Sequence, residues 1–78
     1  MGLEKVVLDK LEEVDASVAD NAQFRYGTLF IANDTGVSTY DIYHALNALK
    51  DVVNCGLQTS RVGNEIAIDF VSGEWGIK

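Results

Sequence analysis

Ile31-Ala32-Asn33-Asp34-Thr35-Gly36-Val37-Ser38-Thr39-Tyr40-Asp41-Ile42-Tyr43-His44-Ala45-Leu46 is the stretch on which the reading of this chain turns. Gly36 divides it, because glycine is free to take the positive φ that a sharp change of direction needs. Ser38 stands where it can cap a new helix, and Asp41 three residues on favours the positive helix end. The spacing predicts a helix over 38–53. Ile42, Ala45, Leu46, Leu49 and Val53 form its apolar stripe. Tyr40, Tyr43, His44, Asn47 and Asp51 share the opposite face. Asn54-Cys55-Gly56 ends it, with Gly56 expected in the left-handed conformation.

Working outward, Leu3, Val7, Leu11, Val14 and Val18 recur at helical spacing. They predict a first helix over 3–18, with Lys5, Asp9, Glu12 and Glu13 turned to solvent. Phe24, Tyr26, Thr28 and Phe30 alternate as one long strand would. The alternative divides the region into a short strand over 24–26 and a helix over 28–34, with Thr28 as its cap. On the C-terminal side, two alternating runs flank Gly63-Asn64, a hairpin signal with a glycine-first turn. The hairpin over 57–71 then pairs Val62 with Glu65, Arg61 with Ile66, Thr59 with Ile68 and Leu57 with Phe70. Leu57, Ile66, Ile68 and Phe70 fall on one face for the core. A tail over 72–78 holds Trp75 and Ile77.

The stretch from Ile31 to Leu49 resembles the helix-turn-helix family. Such a motif wants a small residue in its first helix (Ala32), a flexible turn residue four places later (Gly36), and an apolar plug (Val37). It also wants apolar residues returned by the second helix, here Ile42 and Ala45. With the hairpin behind it, the order of elements is similar to the winged-helix family from about Leu3 to Val71. That resemblance implies an α+β fold of three helices, a short strand and a C-terminal β-hairpin wing. It selects 24–26 as strand and 28–34 as the first motif helix, in a single domain over 1–78.

Composition sets bounds. The chain has 78 residues and 47% hydrophobic content, enough for one small domain. No run approaches the about 20 apolar residues of a membrane span, and the first residues do not read as a signal peptide. The single cysteine, Cys55, excludes an intrachain disulfide and fits a reducing, cytoplasmic setting, nucleoid-associated when on DNA. One His and one Cys do not make a zinc site, so neither metal nor cofactor is expected. Asp34-Thr35-Gly36 spells the aspartic-protease triplet, but a helix follows it and the chain is short for that fold. Asp41 and His44 have no completing third group, so no enzyme is read. Net charge is −6. Residues 1–21 carry −4, residues 65–78 carry −2, and the middle of the chain is neutral.

The resemblance implies sequence-specific binding to double-stranded DNA and a role in transcription regulation. The second motif helix would enter the major groove with Ser38, Thr39, Tyr40, Tyr43, His44 and Asn47. Arg61 and Asn64 at the wing, with Lys50 and Arg25, are the phosphate candidates. So few cations make a weak monomeric binder, and a homodimer through the first helix or the Trp75 tail is expected. The acidic ends keep a second reading open, a winged-helix module that binds a protein through Tyr40, Tyr43 and His44. A third is a small acidic inhibitor that mimics DNA.

Overall fold

The computed structural model describes residues 2–33, 36–54 and 56–71. The elements run α1 (Leu3–Val14), α2 (Ala16–Asp20), β1 (Ala22–Arg25), β2 (Thr28–Ala32), α3 (Thr39–Leu49), β3 (Gly56–Val62) and β4 (Glu65–Val71). The fold is α+β, with three helices and one antiparallel sheet in the order β1-β2-β4-β3 among the described residues.

The helices share one core with one face of the sheet. Val7 and Leu11 of α1, Val18 of α2 and Ile42, Ala45, Leu46 and Leu49 of α3 are buried together with Leu29, Ile31, Ile66 and Ile68. The apolar stripe predicted from Leu3 to Val18 is intact, but the helix is not continuous. Asp15 leaves the helical path at φ −157°, and its carboxylate accepts from the N–H groups of Ser17 and Val18 at 2.9 and 3.2 Å. An aspartate that caps a second short helix breaks the first without rotating Val18 off the core. The stripe predicted for α3 is also buried, Val53 included. The helix itself stops at Leu49 and the chain turns through 50–54. Gly56 does not take a positive φ; it opens β3.

The hairpin of β3 and β4 has the predicted register in full, from Leu57 with Phe70 to Val62 with Glu65. Gly63 takes φ 60° at the turn, the glycine-first geometry the sequence signals.

The first motif helix is where the structure departs from expectation. Thr28–Ala32 is strand β2, hydrogen-bonded between β1 and β4, and no helix precedes α3 directly among the described residues. Asp34, at the end of the expected helix, lies outside the described residues. The short strand expected at 24–26 is Ala22–Arg25, and it turns back through Tyr26-Gly27 to pair with β2. Neither reading of 24–32 anticipated this hairpin. Tyr26 and Gly27 take φ 55° and 84°, a two-residue turn of the type that suits strand twist. Ala32, expected to receive the second motif helix, sits on the sheet face opposite the core, beside Glu65. Gly36 does take a positive φ of 94° and Val37 is buried, but they join a strand to a helix.

Candidate functional site

α3 is the element with the most distinct exposed face. Its start is fixed by Ser38, whose Oγ accepts from the Asp41 N–H at 3.1 Å while its carbonyl accepts from the Ile42 N–H. One side of the helix is spent wholly on the core, so the other side is held in a single orientation. On it, Tyr40 is 77% exposed and Tyr43 is 45% exposed. The Tyr40 and His44 rings stack, with centroids 6.3 Å apart and planes 6° from parallel. Thr39, Asn47 and Lys50 are exposed along the same helix and its end. The predicted face is therefore brought together by α3 alone.

The β3–β4 turn lies at the end of the sheet where β2 finishes. The Asn33 N–H donates to the Asn64 carbonyl at 2.7 Å, which ties the segment leaving β2 to the β3–β4 turn. Arg61 and Asn64 are exposed at that end of the sheet. By register, Arg61 shares the face of Ile66 and Ile68, the face that carries the helices.

Arg25 does not join this group. It pairs across β1 with Thr28, on the outer sheet face. There its guanidinium lies over the Phe30 ring, 4.2 Å from the centroid, and forms an ion pair with Glu65. Thr28 Oγ1 donates to Asp69 at 2.9 Å on the same face. Arg25 Nε is buried there without a hydrogen-bond partner. No sequence signal short of the β2–β4 register foretold a pair separated by forty positions. Lys5 pairs with Asp9 at 2.9 Å and Lys10 with Glu13 at 3.1 Å, each within α1. These cations are internally neutralised. Arg61 has no such partner among the described residues.

Among the described residues no three His, Cys, Asp or Glu side chains gather as a metal site would require. No helix there is long and apolar enough to cross a membrane. Of the α1 stripe, Val7 and Leu11 are buried, while Leu3 and Val14 are half-buried. The tail with Trp75, the other expected dimer contact, and Cys55 lie outside the described residues. Comparison of the sequence with protein-family models gives no match, and comparisons with curated proteins and with solved structures give none either.

Proposed function

We propose that this chain is a non-catalytic binding module and that the exposed face of α3 docks on a protein partner. The observation that carries the reading is the aromatic patch of Tyr40, stacked His44 and Tyr43, displayed on a helix whose reverse side is fully buried. Aromatic side chains that are already rigid add large contact area at little entropic cost, and they are enriched where protein surfaces meet. The net charge of −6 favours a partner whose patch is apolar at its centre and basic around it.

A second reading, a winged-helix DNA-binding regulator, is favoured by one observation. A helix with an exposed polar face, α3, is followed by a β-hairpin whose tip exposes Arg61 and Asn64, the order of elements such a module has. In that layout Ser38, Thr39, Tyr40, Tyr43, His44 and Asn47 meet base edges while Arg61, Asn64 and Lys50 meet phosphate. It weighs less because Lys5, Lys10 and Arg25 already pair with carboxylates, which leaves few groups to displace counterions.

The test has two arms. A photo-crosslinker at Tyr43 identifies the partner, which is then purified and titrated. Substituting Tyr40→Ala with Tyr43→Ala should weaken that complex at least about tenfold, as loss of an aromatic anchor does. In parallel, a duplex library is titrated at low salt. Micromolar duplex binding that Asn47→Ala and Arg61→Ala abolish would overturn the protein reading in favour of DNA. Undiminished partner binding by the tyrosine variants would overturn it outright.

A further inference from the structure

Among the described residues β3 is one edge of the sheet. It is seven residues long, whereas the opposite edge strand β1 has four. It carries no proline, no lysine and no bulge, the devices that commonly blunt a sheet edge. Gly56, Gln58, Thr59, Ser60, Arg61 and Val62 are all exposed.

The register shows which backbone groups of β3 point away from β4. Asn64 accepts from Asn33 across β2, so alternate residues of β4 from Ile66 onward bond toward β2. Glu65, Ala67, Asp69 and Val71 then bond toward β3, to Val62, Ser60, Gln58 and Gly56. The two-residue turn at Gly63-Asn64 imposes the same phase, since its flanking pair Val62 and Glu65 is a hydrogen-bonded one. Leu57, Thr59 and Arg61 are left with both N–H and C=O directed out of the edge.

These three outward residues are symmetric about Thr59. We propose that β3 pairs antiparallel with β3 of a second copy of this chain, with a twofold axis at Thr59. Thr59 then lies opposite Thr59 of the second copy, and Leu57 lies opposite Arg61. Each outward residue exchanges its N–H and C=O with its opposite number. On the helix-bearing face, a threonine pair forms at the centre, a combination favoured across strands. The only charge on the strand, Arg61, meets a leucine side chain and not its own copy. On the outer face Gln58 lies opposite Ser60. No like charges are placed together, so the register is self-complementary in charge as well as in hydrogen bonding. The result is one continuous sheet with both α3 helices on the same side. This inference does not rest on the protein or DNA reading of α3.

The experiment is sedimentation equilibrium of the full chain over a dilution series. The wild type should be dimeric at about 100 µM, a range that reports even weak association. Thr59→Pro removes only an outward N–H, which an edge strand tolerates. It should raise the dimer dissociation constant by about 10- to 100-fold while leaving the circular dichroism melt nearly unchanged. Thr59→Lys and Thr59→Glu each place like charges at the axis and should each be monomeric. Mixed in equal amounts they should form a heterodimer, a rescue that a folding defect would not give. A monomeric wild type, a dimer indifferent to all three substitutions, or a mixture that stays monomeric would overturn the pairing.

Discussion

Tyr26 is fully exposed and sits at φ 55°. A residue with a Cβ held in the left-handed region costs about 1–2 kcal/mol, and asparagine carries less of that cost because its short side chain bonds locally. Tyr26→Asn creates Asn-Gly, the pair most favoured in a two-residue hairpin turn. The tyrosine ring contributes no burial at this position, so no packing is lost to offset the gain. The melting temperature should rise by about 4–8 °C, the shift expected for relief of about 1 kcal/mol in a domain of this size. Tyr26→Ala is the control. It keeps the Cβ, and therefore the strain, and should melt within about 3 °C of the wild type, as exposed substitutions generally do. Both variants are read by far-UV circular dichroism at equal concentration. If Tyr26→Asn melts at or below the wild type, the turn is not strained as the backbone geometry implies. If Tyr26→Ala is as stabilising as Tyr26→Asn, the gain comes from removing an exposed aromatic and not from φ.

Three further outcomes follow from contacts of different kinds. Ile68→Ala, at a fully buried position between β2 and β3, should cost about 2–5 kcal/mol by chemical denaturation, a large share of what a chain this short has. Ser38→Ala removes the α3 cap and should cost about 1 kcal/mol, with reduced amide protection in the first turn by hydrogen exchange. Glu65→Gln removes a partly exposed, solvent-screened ion pair and should cost less than about 1 kcal/mol. Arg25→Ala should cost more, because it also uncovers Phe30. A double-mutant cycle on the denaturation midpoints measures the difference.

The parts of the fold that were legible in the sequence are those whose signal is local. Gly63-Asn64 fixes the phase of the hairpin, and with period-2 alternation every partner of Leu57 to Val62 follows. The α3 stripe is legible because one side of that helix is core and the other is water. Thr28–Ala32 fails for the opposite reason. β2 lies inside the sheet, with Leu29 and Ile31 in the core and Phe30 half-covered by Arg25 on the other face. Its period-2 alternation with Phe24 and Tyr26 was visible, but the resemblance to a helix-turn-helix outweighed it, and the pairing of β2 between β1 and β4 that decides the matter is not local. Tyr26-Gly27 compounded this, since tyrosine is not a residue that announces a left-handed turn position. The small residue, glycine and apolar plug of the expected motif were real. They serve a strand-to-helix connection, because Ala32, Gly36 and Val37 satisfy its demands as well as those of two crossed helices.

The candidate site was legible where it lay on one element and illegible where it depended on pairing. The face from Tyr40 to Asn47 needs only the helical period. Arg25 was grouped with it by charge alone, and the sheet carries Arg25 to the outer face to meet Glu65. The consequence for function is directional. The two hairpin turns lie at opposite ends of the sheet, because β2 begins beside Tyr26-Gly27 and its end is bonded to Asn64. Arg61 presents its side chain on the helix-bearing face and its backbone at the free edge of β3. Pairing of two copies through that edge leaves the side chain available beside the twofold axis. Self-association through β3 and docking through α3 use different elements, so one does not exclude the other. A dimer that gathers two aromatic faces on one side of a sheet turns a weak single contact into a bivalent one.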